Sequence, residues 1–457
     1  MLFSRCLGDY MRKISVLFLI LLPLWLAAQD MPFSVKAKTR FASSGMVGYE
    51  TIDSLTYYRA RLIQEFKIWK IGIGLDLDFL FDQDYRLRVE DWDHWENVLD
   101  KFYYVKYANR RDPVYVHVGG FPDLTMGNGL IMRRYSNMAL YPQLRNLGFM
   151  IGANPKIPTS PSFELFSSNL KKNEILSFST RFRPIPDSTL AVIDELILGF
   201  SIVTDRNQYG NLRYVTPDSL MQFVPGLKRK AATVMGAALT LPVYRTKDYT
   251  LGVYSEYAYI ADMGHGAILP GIYAHFKSVK VNLEYRTYGR EFVPGFFDED
   301  YEEERGWVDT LDVVDPRENF HTKEYYVETL KPANGINGIV EGNYKDRIKA
   351  SVSWQNIIGH DYKNGKSLWL KLWVDTQWKR LENFSLSYSR TNQQRLSIAR
   401  INEPGTKMNL SMTFRINKRW YVIGKYAETF KDKDGDGKVN WLKETKHSGG
   451  VGVKYLH

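Results

Sequence analysis

The sequence predicts an all-β protein: an antiparallel transmembrane β-barrel of about 18 strands, between roughly 16 and 20 by the residues each strand and connection consume, behind a cleaved signal peptide. Long two-faced strand patterns, high aromatic content and an apolar leader together point there. In Ser367–Lys379, Leu368, Leu370, Leu372, Val374, Thr376 and Trp378 share one parity, while Ser367, Lys371, Asp375, Gln377 and Lys379 share the other with Trp369 and Trp373. Successive side chains of a pleated strand point to opposite faces, so this run has one greasy face and one polar face. It also exceeds the roughly 5–6 residues of an ordinary strand and meets the ~9–11 that a tilted membrane-spanning strand needs.

The design recurs along the chain. Ile71, Ile73, Leu75, Leu77 and Phe79 alternate with Gly72, Gly74, Asp76 and Asp78; Val279, Val281, Leu283 and Tyr285 alternate with Lys280, Asn282, Glu284 and Arg286. Ile348, Ala350, Val352 and Trp354 alternate with Arg347, Lys349, Ser351, Ser353 and Gln355, and Met408–Ile416 behaves alike. Lipid outside and water inside is the arrangement that satisfies both faces.

Ile14–Ala28 is the only apolar run near helix-spanning length; Arg12 and Lys13 precede it and Gln29 and Asp30 follow. A basic start, an apolar stretch of this length and small residues at its end read as a secretory signal over 1–28, with Met11 the more natural start and cleavage near Ala28 or Gln29. Residues 29–457 then form a single barrel domain. Cys6 is the sole cysteine and lies ahead of the signal, so the mature chain has no thiol for catalysis, metal binding or a lipid anchor. Mean hydropathy is −0.34, which excludes a helical membrane bundle. Thirty Tyr and eleven Trp suit the aromatic girdles of a membrane barrel. The net charge of +10 is spread among acidic residues without a basic patch or recognition motif, so nucleic acid is not an expected partner.

In chain order, strands are expected at Phe33–Ser43, Leu55–Lys67, Ile71–Phe81, Lys101–Tyr107 and Val114–Gly119. Gly120–Pro155 lacks alternation until Leu147–Ile151 and carries paired arginines; it reads either as an inward-folded segment with Arg133, Arg134 and Arg145 facing the lumen, or as a surface loop. Strands resume at Ser162–Ser168, and Tyr325–Leu330 is read as one of the later ones. Glu291–Lys323 is acidic and aperiodic; Asp298, Glu299, Asp300, Glu302, Glu303 and Glu304 read as a solvated loop, the alternative being a cation-attracting cluster.

The leader, the strand pattern over nearly all of the mature chain and a last strand containing Tyr455 resemble Gram-negative outer-membrane β-barrels, porin-like in broad design. The resemblance implies outer-membrane location with both termini periplasmic, contact with outer-membrane lipid and lipopolysaccharide, and insertion by the barrel-assembly machinery. One departure is the ending Tyr455-Leu456-His457, where such chains usually close on an aromatic. The implied function is passive passage of small hydrophilic solutes through a lumen lined by Arg59, Arg61, Asp76, Asp78, Glu256, Lys280, Glu284, Arg286, Arg347, Lys349, Lys371 and Asp375. A plugged, loop-presenting structural barrel and a lipid-acting barrel enzyme are the alternatives. Oligomeric state is not encoded in these patterns.

One motif has metal-binding spacing. In Asp432–Glu444, Asp432, Asp434 and Asp436 take the first, third and fifth positions of a calcium loop and Gly437 the sharp turn, with Lys438 offering a carbonyl and Asn440 a side-chain oxygen. This resembles an EF-hand loop, but position twelve is Lys443, the closing carboxylate is displaced to Glu444, and strands rather than helices flank it. The alternative is an acidic turn on the last hairpin. No other cofactor is expected. The eight histidines show no paired-ligand spacing, and no HExxH, GxSxG, Walker or dinucleotide motif occurs, so catalysis is not expected. His117 and His275 are the mid-strand histidines a barrel enzyme would draw on.

Overall fold

The structure, a computed structural model, describes residues 41–52, 55–89, 92, 101–110, 112–140, 146–186, 193–216, 218–309, 319–360, 365–376, 380–394, 403–430, 439 and 444–456. The expected signal segment, Arg145 and most of the 432–444 motif lie outside the described residues.

The first fifteen strands are β1 Phe41–Ile52, β2 Leu55–Ile68, β3 Ile71–Phe81, β4 Phe102–Tyr107, β5 Val114–Gly119, β6 Leu124–Met126, β7 Met132–Tyr135, β8 Gly148–Ala153, β9 Ser162–Ser167, β10 Ile175–Phe182, β11 Ile197–Asp205, β12 Ala232–Arg245, β13 Tyr249–Ile260, β14 His265–Phe276 and β15 Val279–Tyr288. The rest are β16 Gly306–Val308, β17 Phe320–Thr322, β18 Ala333–Tyr344, β19 Ile348–Gly359, β20 Lys366–Asp375, β21 Leu381–Gln393, β22 Thr406–Arg415, β23 Trp420–Phe430 and β24 Thr445–Leu456. All but β6, β7, β16 and β17 join one 20-stranded sheet in which each strand pairs antiparallel with its neighbour in sequence. β1 also pairs with β24, Ala42 opposite Leu456 and Glu50 opposite Ser448, so the sheet closes on itself without an edge. Twenty strands stand where about 18 were expected.

Period-two patterning decides which way each strand faces. Along β3, Gly72, Gly74, Asp76, Asp78 and Leu80 are buried, and the apolar set between them forms the outer face. Leu62, Phe66, Phe178, Phe200, Ile202, Leu239, Leu283, Tyr285, Val340 and Val352 are exposed on that outside. An exposed apolar band around a closed barrel is the surface that hydrocarbon, not water, accommodates.

Antiparallel order sends alternate connections to opposite ends. The end carrying the start of β1 and the finish of β24 has turns such as 69–70, 246–248 and 277–278; the far end carries the long connections 82–101, 120–147, 206–231 and 289–332. Two expected strands are corrected. The first runs on to Ile52, as Phe41–Ile52, past the expected end at Ser43, because Gly45 and Gly48 interrupt the apolar alternation that sequence reading follows; residues 33–40 of the expected strand lie outside the described residues. Tyr325–Leu330 is not a strand: Lys323–Val327 is a helical turn, its Lys323, Glu324 and Val327 buried against the lumen contents.

Candidate functional site

Two far-end connections fold inward and meet inside the barrel. In 120–147, β6 and β7 pair as a hairpin, and Met132 bridges to Phe297 of the 289–332 connection. Leu130, Ile131, Met132 and Tyr135 pack with Phe292, Phe296, Phe297 and Tyr301 in one buried cluster that also takes in Val203, Val234, Ala258, Ile260 and Ile268 of the wall. A hydrophobic core inside a barrel is what lets irregular backbone occupy membrane depth without facing lipid. Of the two readings of Gly120–Pro155, the inward-folded one describes residues 120–140, whereas Gly148–Ala153 returns to the wall as β8.

Polar contacts pin this plug across the lumen. Arg133 donates to Ser353 Oγ at 2.9 Å and Gln355 Oε1 at 3.1 Å on β19, and both Arg133 and Arg134 lie over the Trp369 ring, at 4.9 and 4.6 Å. Lys371 pairs with Asp123 at 2.6 Å. At the hairpin tip, Asn128 N–H donates to Glu256 Oε2 of β13 at 2.7 Å. Gly127 precedes it at φ +58°, and a Cβ there would stand 2.5 Å from Glu256 Oε1, so this close approach requires glycine.

The acidic 298–304 stretch is not a solvated loop. Asp298 accepts from Lys323 Nζ at 2.8 Å, Glu299 from Trp369 Nε1 at 3.0 Å, Asp300 pairs with Lys407, and Tyr135 donates to Glu302. Aromatic residues interleaved with the acids draw the segment into the lumen, and each of these carboxylates finds a donor there. Arg305, fully buried, contacts Glu174 Oε2 at 2.5 Å and Asp205 Oδ2 and Glu302 Oε2 at 3.2 Å each. Burial pushes the Asp298 and Glu302 carboxyls above their ordinary range against the opposing pull of Lys323 and Arg305.

The wall residues singled out by sequence fall as follows. Arg59, Arg61, Asp76 and Asp78 point inward as two buried pairs, Arg59 with Asp78 at 2.6 Å and Arg61 with Asp76 at 2.5 Å. Glu284 accepts from Tyr254, Arg286 and Asn337, and Arg286 extends the network to Gln355. Lys280 and Lys349 occupy inward positions toward the termini end, Lys280 4.0 Å from Glu341 and Lys349 over the Trp373 ring at 5.5 Å. Asp375 ends β20 at that rim, and Arg347 is exposed in the adjoining turn. Glu444 is buried at the base of the β23–β24 hairpin. His117 shares a hydrogen bond with the Gly120 carbonyl at 3.2 Å between Tyr104 and Phe121, and His275 stands beside Tyr273. Both histidines occupy inward positions, away from the lipid-facing rim where a lipid-acting enzyme would need them.

Below the hairpin tip, toward the termini end, lies a cavity of about 890 Å³. Its rim carries Arg110, Lys156, Arg181 and Arg183; its floor is Thr125–Asn128 with Glu256; one wall presents the small inward residues Gly199, Ser201, Gly236, Ala238 and Thr240. Sequence reading missed Arg110, Lys156 and Arg183 because they sit in connections, where alternation gives no direction; Arg181 lies within β10 on the inward parity of Ser177 and Ser179, a signal that could have found it.

No family model matches the chain, and the search of curated proteins finds no match. Among solved structures it is similar to Wzi, an outer-membrane protein involved in group 1 capsule assembly in Escherichia coli and described as a carbohydrate-binding β-barrel, at 11% identity over 91% of this chain and 84% of that one, with a TM-score of 0.36. It is likewise similar to Pseudomonas aeruginosa OpdK, solved with vanillate, at 11% identity over 92% and 98% of the chains and a TM-score of 0.35. The siderophore receptor PirA from Pseudomonas aeruginosa aligns over 93% and 81% at 7% identity, with a TM-score of 0.39. These superpositions are loose. The barrel assignment rests on the closed strand pairing itself.

Proposed function

We propose that the protein is an outer-membrane channel for small hydrophilic solutes whose lumen is narrowed by its own loops, with both termini on the periplasmic side. The observation that carries this reading is the polar cavity of about 890 Å³ lying against the folded hairpin inside a closed barrel. A barrel built only to present loops has no need of a chamber bearing Arg110, Lys156, Arg181, Arg183 and the hydroxyls of Ser179, Ser201 and Thr240. Outer-membrane lipid, lipopolysaccharide and the barrel-assembly machinery are the partners that an apolar exterior of this kind calls for.

A non-conducting barrel is the second reading, favoured by the buried Phe292, Phe296, Phe297 and Tyr301 across the lumen. Single-channel recording of the refolded full chain in planar bilayers separates the two. Discrete conductance steps are expected, larger in Arg133→Ala because the hairpin loses its hold on Ser353 and Gln355. Silence from a protein that circular dichroism shows to be a folded barrel, in the wild type and the variant, would sink the channel and leave the plugged barrel.

A further inference from the structure

We propose that the cavity on the termini side is a binding vestibule for small organic anions, carboxylates or phosphate monoesters of about the size of one sugar; this assigns a substrate class to the channel proposed above and rests on that reading for its transport role. Volume sets an upper bound, since pockets of about 300–1,000 Å³ hold ligands up to drug size and a single sugar fits with room to spare. The floor is closed by the hairpin tip, where Asn128 N–H is already committed to Glu256.

Charge sets the sign. Glu164 is saturated by its neighbours: Arg110 reaches it through Nε at 2.8 Å and Nη2 at 2.6 Å, and the Tyr115 hydroxyl donates to it as well. Arg181 also acts on Glu164 at longer range, and among the described residues no carboxylate lies within 4.0 Å ion-pairing distance of Lys156, Arg181 or Arg183. Four cations, Arg110, Lys156, Arg181 and Arg183, against the carboxylates of Glu164 and Glu256 leave an excess of positive charge in a concave site with low-dielectric walls, which concentrates anions and repels cations. Two guanidinium forks two residues apart on one strand end also match the planar, multidentate geometry of a carboxylate or phosphate.

The wall opposite sets what the rest of the molecule can be. The inward residues of β11 and β12 that line the cavity are Ile197, Gly199, Ser201, Gly236, Ala238 and Thr240, and a Cβ added at Gly199 would meet nothing nearer than 3.6 Å. Small residues here leave volume, and Ile157, Phe182 and Ile197 keep part of the lining apolar. With the hydroxyls of Ser179, Ser201 and Thr240 the wall suits a hydroxylated body.

The test pairs binding with permeation on the full chain. Gluconate, glucose 6-phosphate and neutral glucose are titrated calorimetrically into the detergent-solubilised protein, and zero-current potentials are read in planar bilayers under a potassium chloride gradient. We expect both anions to bind at least about tenfold more tightly than glucose, a difference that one added charge contact supports. Which of the two is tighter distinguishes carboxylate from phosphate. Arg181→Glu with Arg183→Glu should remove that preference and turn chloride selectivity toward potassium. Lys156→Glu, on an exposed turn that the barrel does not depend on, should shift both readouts the same way by less. Equal binding of gluconate and glucose, or an anion preference unmoved by these reversals in folded protein, overturns the vestibule. A silent bilayer with anion binding intact overturns the channel reading alone and supports the vestibule.

Discussion

Arg305 of the lumen-filling 289–332 connection donates through Nη2 to Glu174 Oε2 at 2.5 Å, at the far-end mouth of β10. The same guanidinium meets Asp205 at the end of β11, whose carboxylate also accepts the Tyr301 hydroxyl at 2.9 Å. One side chain therefore ties the plug to two wall strands and, through Glu302 and Tyr135, to the second plug segment. Removing it strands several buried carboxylates, a change of the kind that costs about 3–5 kcal/mol. Arg305→Ala should raise hydrogen exchange across 130–136 and 296–308 while β19–β22 keep their protection. Uniform loss of protection over the whole barrel would contradict a local latch.

The Arg61–Asp76 pair separates charge from packing. Its side chains are 3% and 0% exposed, so Arg61→Ala alone leaves a buried carboxylate and should cost about 3–5 kcal/mol in urea unfolding from lipid vesicles. Arg61→Met with Asp76→Leu should recover most of that loss. If the double variant is as unstable as the single one, the pair holds the wall by more than mutual neutralisation.

Outer and inner faces of one strand should answer oppositely to charge. Leu370 belongs to the outer parity of β20 and Lys371 to the inner, where it meets Asp123. Leu370→Arg should destabilise refolding into vesicles by about 2–4 kcal/mol, the cost of a charge on the lipid face near the midplane, whereas Lys371→Arg should stay within about 0.5 kcal/mol. Equal effects would place the hydrocarbon boundary elsewhere.

Acidity should tighten the plug. Burial raises the folded-state values of Glu302 and Asp298 above the unfolded 4.5 and 3.8, so the native state binds more protons in that window. Their contribution to stability is therefore present at lower pH and lost as pH rises through the raised folded-state values. Arg305, Asp205, Glu174 and Tyr135 face Glu302, and Lys323 and Asp300 face Asp298. Exchange of the 296–308 backbone should speed up with rising pH beyond its intrinsic dependence, and Glu302→Gln should flatten the slope. An unchanged slope in that variant assigns the effect to other groups.

Calcium binding by Asp432, Asp434, Asp436, Lys438, Asn440 and Glu444 is a proposal that thermal unfolding tests directly. The connection joins β23 to β24 at the end opposite the termini, between the paired residues Phe430 and Thr445. Calcium should raise the unfolding temperature, a chelator should reverse it, and Asp434→Ala should abolish it. No calcium-dependent shift would return the segment to an acidic turn.

How much of this was legible depends on the range of the signal. The wall was: β3, β15, β19, β20 and β22 announce themselves because alternation is local, repeated and long. The end of β1 was read too early because Gly45 and Gly48 carry no hydrophobic sign. The plug was seen only as an irregularity. Its meaning lies in partners far along the chain, Arg133 with Gln355 and Arg305 with Glu174, which no periodicity encodes. The acidic stretch misled for the same reason: a run of carboxylates reads as solvated until Lys323, Trp369, Lys407 and Arg305 are brought to it. Arg110, Lys156 and Arg183 stayed hidden because connections have no face, whereas Arg181 stood on the inward parity of β10.

Nineteen of the twenty wall contacts join strands that follow one another in sequence, and only the Ala42–Leu456 seam joins the two ends of the chain. Until that seam zips, the nascent sheet carries two unsatisfied margins of backbone donors and acceptors, and no amount of correct local pairing removes them. Closure thus depends on one pairing that the first and last strands share. A lesion in either should act not on the strength of one hairpin but on whether the cylinder ever becomes a cylinder.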